Sequence, residues 1–287
     1  MFQFMTGIIG KVVLSFLLLT GTTFTYAQTP ADSVTLVKAK WEKRKVTNGV
    51  TAMWTKLANL YSGPQEIYII EVNNRQHPLE ALPHNKRELT SEKASQAGAV
   101  AAINGTYFDI NGTGLSICSV EHKGVTTGGS DDMGPLSNGA FVATGNRTFI
   151  VPWIGKTECP LGDEIMVSGP LMLQHGKTEK FDNVSHIMEK HPRSGIATKK
   201  RKTYLIVVDG RNKERATGVT IPEFAHMLRI LGMQNALNLD GGGSSVLWAE
   251  PEVKFLNDGS PVCPCTGILN EPSDGHERAV SNSIIVK

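Results

Sequence analysis

The chain has 287 residues, of which 40% are hydrophobic and 20% charged, and its formal net charge is +2. This composition is ordinary for a globular protein, and the length suffices to bury a full core as one large domain or two small ones. A nearly neutral chain has no global field that would favour nucleic acid, and the basic runs 40–45 and 199–202 are interpreted as solvated surface. We therefore expect no nucleic-acid partner.

The N-terminal residues 1–27 have the pattern of a secretory signal peptide. Lys11 precedes the apolar run Val12–Leu19, and small residues end the segment at Ala27. The apolar run is shorter than the about 20 residues needed to cross a bilayer, and no later segment reaches that length. We expect cleavage near Ala27, a secreted or periplasmic protein, and no membrane span.

Four cysteines, Cys118, Cys159, Cys263 and Cys265, fit an oxidising compartment and allow three full disulfide pairings. The last two flank Pro264 too closely to bond each other comfortably, so each is expected to reach a distant partner or stay reduced. A zinc site would need a second closely spaced pair, which the sequence lacks. No metal or other cofactor is predicted.

Residues 28–90 are predicted to form N-terminal strands and loops of the same domain as the rest of the chain. The polar, lysine-bearing stretch 28–45 favours a lead-in strand or loop, and Gln65–Val72 alternates as a strand does. A short helix is predicted at Ser91–Gln96, followed by a small apolar strand at Ala99–Ile103.

A polar segment, Asn104–Asp109, follows that strand. Its Asn-Gly pair is first of all a turn. The Asn104 amide can also donate to a sugar hydroxyl or a phosphate oxygen, with Tyr107 or Phe108 as a stacking face. Further along, residues 128–147 are rich in Gly, Asp and Asn and indicate antiparallel hairpins.

The strongest pattern is a strand–helix–strand unit. Tyr204–Asp209 is a β-branched run typical of a strand buried on both faces. Thr220 and Glu223 then form a capping box ahead of a helical apolar pattern that ends at Gly232, and Ala236–Asp240 is the second strand. Such a unit makes a right-handed crossover that lays its two strands parallel in one sheet.

Each strand of this unit ends in an aspartate followed by glycine, at Asp209 and Asp240. Parallel strands bring both residues to one edge, about 4.8 Å apart if the strands are neighbours and about twice that with one strand between. Ligands bind at this edge of open sheets. The alternative is that the two Asp-Gly pairs only make turns.

Arg193 immediately precedes the strand that leads into Tyr204–Asp209, where it would form a salt bridge or grip an oxyanion. We expect Asp209, Asp240 and Arg193 to line one pocket, with the two carboxylates within about 10 Å of each other. Neither aspartate is expected to belong to the core.

The chain also carries six segments in a fixed order: Ala102–Asp109, Ser168–Leu171, Arg193–Ala197, Val208–Arg211, Asn238–Ser245 and Glu277–Asn282. Together they resemble the ordered motifs of the phosphodiester glycosidase family, over about two thirds of the chain. Ser194 and Ala279 depart from the family pattern, both beside functional side chains rather than in place of them.

The resemblance implies hydrolysis of the bond between an anomeric carbon and a phosphate, as in an N-acetylglucosamine 1-phosphodiester, in glycan or exopolysaccharide metabolism. Because the phosphate leaves as an anion, the reaction depends less on protonation of the leaving group than on positive charge that stabilises it. Arg193 and Arg278 would supply this charge. Asp209 and Asp240 would act as nucleophile or base at the sugar. The implied substrate-binding residues are Asn104, Phe108, Gly241, Gly242, Gly243, Ser244, Arg278 and Asn282.

The predicted fold class is α/β in the broad sense of mixed α+β. It is a single domain with a central mixed sheet, a strand–helix–strand crossover and antiparallel hairpins, in which residues 91–287 form the phosphodiester glycosidase-like catalytic region. The alternative function is a non-catalytic protein that binds anionic glycans on the same fold. A metal-dependent phosphodiesterase is disfavoured because no histidine lies next to Asp209 or Asp240.

Overall fold

The computed structural model describes residues 28–129, 131–155, 162–252 and 266–287. The predicted signal peptide and three of the four cysteines, Cys159, Cys263 and Cys265, lie outside these ranges. The α-helices in the described ranges are α1 (Pro30–Lys38), α2 (Thr90–Gln96), α3 (Ser185–Met188) and α4 (Ile221–Ile230).

The strands of the described residues form three sheets. In chain order they are β1 (Glu42–Thr47), β2 (Val50–Leu57), β3 (Gln65–Asn73), β4 (Leu79–Glu88), β5 (Ala101–Asn104), β6 (Val120–His122), β7 (Val125–Thr127), β8 (Gly139–Thr144), β9 (Arg147–Pro152), β10 (Glu164–Ser168), β11 (Leu171–Gln174), β12 (Lys177–Thr178), β13 (Arg193–Lys199), β14 (Lys202–Val208), β15 (Asn235–Asn238), β16 (Leu247–Ala249) and β17 (Val280–Val286). The sheet orders are β1-β2-β3-β14-β13-β15-β11-β12, β7-β6-β10-β8-β9 and β16-β5-β17-β4. The predicted mixed α+β class is confirmed.

The crossover unit differs from the prediction in one respect. Strands β14 and β15 run parallel, but β13 lies between them and pairs antiparallel with both. The pairing of the central sheet is therefore antiparallel throughout the described residues, where a mixed sheet was predicted. Asp209 and Asp240 still follow the ends of β14 and β15 at one edge, separated by two strand spacings or about 10 Å.

Strand β14 is buried on both faces. Tyr204, Ile206 and Val208 pack in the cluster that contains α4, whereas Leu205 and Val207 pack in a cluster shared with the two smaller sheets. Side chains alternate between the faces of a strand, so burial of both faces requires the uninterrupted apolar run seen in the sequence. The central sheet thus lies between two apolar clusters.

Helix α4 begins at the predicted capping box. The Glu223 backbone N donates to Thr220 Oγ1 (3.2 Å), and the Thr220 N donates to the Glu223 carboxylate (2.9 Å). Gly232, with a φ of +81°, follows the helix as predicted, because this left-handed conformation favours glycine. The crossover helix is therefore encoded locally at both ends.

Helix α1 lies where a strand or loop was predicted. Thr29 and Asp32 form a second capping box, in which the Thr29 N donates to Asp32 Oδ2 (2.6 Å). The apolar anchor of the helix is Leu36, which is buried in the cluster around α4. A single buried apolar residue does not produce the hydrophobic periodicity that indicates a helix in a sequence. The Thr29–Asp32 capping box was therefore the feature that could have predicted α1.

Candidate active site

The candidate site is the turn that follows β15, at the edge where β13 begins. The Asp240 N donates to Gly105 O (3.0 Å), and the Gly242 N donates to Pro192 O (2.9 Å). Asn104 Nδ2 donates to Asp240 O (2.7 Å) from a third direction. These bonds fix the backbone of the turn and thereby the position of the Asp240 side chain.

Asp240 is half-buried, and burial raises its pKa to about 6. The Ser244 hydroxyl, the Gly241 amide and the charge of Arg278 oppose this rise. The Ser244 side chain is 1% exposed. Its hydroxyl lowers the pKa of Asp240, and it has no other hydrogen-bond partner among the described residues. A carboxyl group with a pKa near 6 can hold or release a proton close to neutral pH.

Asp209 lies at the same edge in a different environment. It is 1% exposed, so it belongs to the buried interior, contrary to the expectation from sequence. Its carboxylate accepts from Asn270 Nδ2 (2.9 Å), the Glu271 N (2.9 Å) and Arg215 Nη1 (3.1 Å). Burial raises the pKa of Asp209, and these three donors oppose the rise. Its predicted part in catalysis stays a prediction.

Arg193 is held by backbone carbonyl groups. Its Nε donates to Val219 O (3.0 Å), and its Nη2 donates to His186 O (2.9 Å) and Glu189 O (2.8 Å). Burial, together with the charge of Arg211, lowers the pKa of Arg193 to about 10, so it remains protonated at neutral pH. No carboxylate of the described residues forms an ion pair with this charge.

Two further guanidinium groups lie against the glycine turn. A Cβ at Gly243 would be 2.0 Å from Arg278 Nη2, and a Cβ at Gly242 would be 3.0 Å from Arg211 Nη2. Arg278 also donates to Asp274 Oδ2 through Nε (2.9 Å) and Nη2 (2.6 Å). The bare backbone of the glycines therefore lets both arginines approach the turn closely.

Arg211 was not among the site residues predicted from the sequence. It is exposed and has a φ of +64°, a left-handed conformation that is uncommon outside glycine and is found at functional sites. The usable signal was its position directly after Asp209-Gly210, in one of the motifs. The guanidinium groups of Arg211 and Arg278 thus approach the turn that carries Asp240, and the backbone of Arg193 adjoins the turn at Gly241.

The remaining glycine of the turn is also closely packed, since a Cβ at Gly241 would lie 2.8 Å from Pro192 O. This contact is with backbone, which cannot move aside as a long side chain can. Gly241 therefore keeps the turn against the start of β13, whereas Gly242 and Gly243 make room for arginines.

Asn104 and Asn282 are both 0% exposed and lie behind the site rather than in it. Asn104 Oδ1 accepts from Ser194 Oγ (2.7 Å), and Asn282 Oδ1 accepts from the Thr106 N (2.6 Å). Both amides are used to fix backbone and side chains around the turn. Their predicted contact with the substrate stays a prediction.

Of the predicted aromatic pair, Tyr107 lies close enough to Asp240 and Arg193 for both charges to act on its hydroxyl, whereas Phe108 is 7% exposed. The Tyr107 hydroxyl donates to Gly169 O (2.6 Å) and accepts from Asn238 Nδ2 (2.9 Å). Burial and the charge of Asp240 raise the pKa of Tyr107, while Arg193 opposes the rise. Tyr107 therefore stays neutral beside Asp240 and Arg193.

The described residues contain no group of three or more His, Cys, Asp or Glu side chains placed to hold a metal ion. Among the same residues, no helix is long and apolar enough to cross a membrane. Cys118 has a buried free thiol, and burial raises its pKa to about 11. This thiol is therefore protonated and unreactive at neutral pH.

Fold and site together define a mixed α+β protein with a sheet edge suited to an anionic ligand, where Arg211 and Arg278 lie against the glycine turn that follows the half-buried Asp240. The chain belongs to the phosphodiester glycosidase family, whose model matches residues 97–287. The matched region includes Asp209, Asp240 and the three arginines near the turn.

Solved structures extend this likeness to more of the chain. The catalytic domain of zebrafish N-acetylglucosamine-1-phosphodiester α-N-acetylglucosaminidase, auto-inhibited by its pro-peptide, aligns with a TM-score of 0.63 and 20% identity, covering 86% of this chain and 87% of that one. A hypothetical protein from Synechocystis aligns with a TM-score of 0.56 and 18% identity, covering 86% of this chain and 63% of that one. At these identities the likeness shows the fold alone.

A relative is also found by sequence. The SPbeta prophage-derived uncharacterized protein YomE of Bacillus subtilis is 31% identical over 111 residues, which are 38% of this chain. The match covers only 15% of that relative's length.

Proposed function

We propose that this protein is a glycosidase acting outside the cytoplasm, which hydrolyses the bond between a sugar's anomeric carbon and a phosphate. The observation that carries the proposal is the position of Asp240, half-buried with a raised pKa in a turn approached by the guanidinium groups of Arg211 and Arg278. Family membership supports the reaction class. The zebrafish relative's name supports an N-acetylglucosamine 1-phosphodiester as the first substrate to test.

The arginines would hold the phosphate and stabilise the negative charge that it gains as the glycosidic bond breaks. Arg211 suits this role because it is exposed and forms no ion pair with a carboxylate of the described residues. Arg193 also lacks an ion pair there, but it is 6% exposed and donates to three backbone carbonyls, so it would act mainly through its charge. Arg278 is oriented by Asp274 and keeps donors close to the Gly243 backbone. Bidentate guanidinium contacts would also fix the direction in which the phosphate leaves.

Asp240 would act at the sugar, as nucleophile or as base. As a base, it takes a proton from water while the water oxygen bonds to the anomeric carbon, and the electron pair of the broken C–O bond leaves with the phosphate. As a nucleophile, it bonds to the anomeric carbon while the C–O bond to the phosphate breaks and its electron pair leaves with the phosphate. Water then hydrolyses the glycosyl ester, which frees the sugar and regenerates the carboxylate. Both routes need the ionised carboxylate, which predominates above a pH of about 6.

A second exposed carboxylic acid is not required by this chemistry. Ordinary glycosidases need one to protonate an alcohol leaving group, whereas a phosphate monoester leaves as an anion. This explains how the buried Asp209 can support the site through Asn270 and Glu271 without contacting the substrate.

The test is release of reducing sugar from an N-acetylglucosamine 1-phosphodiester by the purified protein, with Asp240→Asn as a matched inactive control. Turnover by the native protein and none by the variant is expected. Failure to cleave any member of a panel of sugar phosphodiesters would overturn the proposal. Binding of an anionic glycan in calorimetry without turnover would instead indicate a non-catalytic binding protein.

The extracytoplasmic location rests on the sequence of residues 1–27. Expression of the full chain, followed by mass spectrometry of the exported protein, should find a new N-terminus near Gln28. An intact N-terminus on protein retained in the cytoplasm would contradict this part of the proposal.

A further inference from the structure

A second group of cations lies at the far end of the hairpin that carries Arg193 and Asp209. Strand β13 runs for seven residues from Arg193 to Lys199, and β14 runs for seven back from Lys202 to Val208. At about 3.3 Å per residue, the two ends of the hairpin are about 20 Å apart. The far end therefore lies outside the candidate active site.

Three turns meet at this end: residues 73–76, 144–147 and 199–202. They enclose two adjoining clefts of about 590 Å³ and 460 Å³, which share Arg75, Lys200 and Arg201 as lining residues. We call the two clefts together the basic cleft.

Hydrogen bonds between the turns hold the basic cleft in shape. The Asn74 N donates to Arg201 O (3.2 Å), and Asn146 Nδ2 donates to Arg75 O (3.1 Å). The Lys200 N donates to Gln234 Oε1 (2.8 Å). Because the backbone carrying the cations is fixed, a ligand would lose little free energy in ordering it.

The charge of the basic cleft is largely uncompensated. Arg75, Arg147, Lys200 and Arg201 are exposed, and none forms an ion pair with a carboxylate of the described residues. Lys202 alone is paired, with Glu71 at 2.5 Å. Four unpaired cations around one concave surface raise the local concentration of anions.

We propose that the basic cleft is a docking site for an anionic polysaccharide bearing phosphate or carboxylate groups. A polymer long enough to span the about 20 Å hairpin would contact both of its ends, and docking in the basic cleft would raise the polymer's effective concentration at the Asp240 turn. The choice of a polysaccharide rests on the proposed function, whereas anion binding rests on the cleft alone.

The test uses the triple variant Arg75→Gln, Lys200→Gln and Arg201→Gln. The matched control, Lys123→Gln, Lys177→Gln and Lys180→Gln, removes the same charge from exposed positions elsewhere. The probes are polygalacturonate and a phosphorylated mannan, with neutral dextran and single-stranded DNA for comparison. We expect the cleft variant to bind both anionic polymers at least about tenfold more weakly, and the control variant to bind them as the native protein does.

Equal weakening in both variants would overturn the proposal, because net charge alone would then explain binding. Tighter binding of single-stranded DNA than of either anionic polymer would also overturn it, as would no binding of these polymers by the native protein. Turnover of a small sugar phosphodiester should be unchanged in the cleft variant. Polymer binding without any turnover would contradict the proposed function and leave the docking site standing.

Discussion

The two ends of the β13–β14 hairpin use charge in opposite ways. At the open end, Arg193 and Asp209 are almost fully buried, and each is held by at least three hydrogen bonds. At the turn end, Lys200 and Arg201 are exposed without an ion-pair partner in the described part of the chain. The buried charges at the open end fix the local backbone and shift the pKa values of neighbouring groups. The exposed charges at the turn end attract ions over a long range but contribute little to the stability of the fold.

The same contrast separates the two aspartates at the open end. Asp209 has its acceptors occupied by protein donors, whereas Asp240 faces partly outward beside Ser244 and Arg278. The two Asp-Gly pairs look alike in the sequence, yet only one leaves its carboxylate available to a ligand. We therefore expect different losses when each is replaced.

The largest effect is expected for Asp240→Asn. Loss of the ionisable carboxylate should lower kcat for a sugar 1-phosphodiester by at least about 10³-fold, which corresponds to about 4 kcal/mol. The melting temperature should change little, because the side chain is half-buried and the amide keeps its shape. Kinetics and thermal unfolding of the same preparation measure both quantities, and near-normal turnover would remove Asp240 from the mechanism.

Asp209→Asn should act mainly on stability. The introduced NH₂ group would face the N–H groups that now donate to the carboxylate, so a buried hydrogen bond would be lost. The free energy of unfolding should therefore fall by about 3 kcal/mol in urea titrations. Glu271→Gln is the control, since that side chain is 69% exposed and its ion pair with Arg215 contributes less than about 1 kcal/mol. Unchanged stability with lost turnover would instead make Asp209 a catalytic residue.

Arg278→Gln should change both phosphate binding and pH dependence. We expect kcat/KM to fall about 10- to 100-fold, as for loss of a charged contact in the transition state. Arg278 lowers the pKa of Asp240, so its removal should raise that pKa further above its usual value. The ionised form is active, so activity is lost as pH falls through about 6 in the native protein and at higher pH in the variant.

Asp274→Asn is the control for that pH profile. It removes the ion pair that orients Arg278 but keeps the guanidinium charge, so the acidic limb should shift less than in Arg278→Gln. A shift in Asp274→Asn at least as large as that in Arg278→Gln would show that the guanidinium charge itself does not set the pKa of Asp240.

The smallest effect is expected at the turn end. Lys202→Gln removes the pair with Glu71, but the lysine side chain is 47% exposed, so the free energy of unfolding should change by less than about 0.5 kcal/mol. Chemical denaturation measures the difference. A loss as large as that of Asp209→Asn would break the distinction between the two ends of the hairpin.

The sequence by itself determined the elements whose signals are local. The Thr220–Glu223 capping box and Gly232 bound α4, and the β-branched run from Tyr204 gives a strand buried on both faces. Ordered motifs were enough to indicate the family. These signals work because capping, helix termination and period-two burial depend on residues that are near in sequence.

Tertiary structure alone decided the strand order and the different fates of the two aspartates. Nothing local places β13 between β14 and β15, since that order depends on pairings across the whole sheet. Asp209 is buried because Asn270 and Glu271, 61 and 62 residues further on, donate to its carboxylate. Arg211 reaches the turn because Gly242, distant in sequence, leaves its backbone bare. Contacts between distant residues therefore determine which charged groups are buried as supports and which remain open to a ligand.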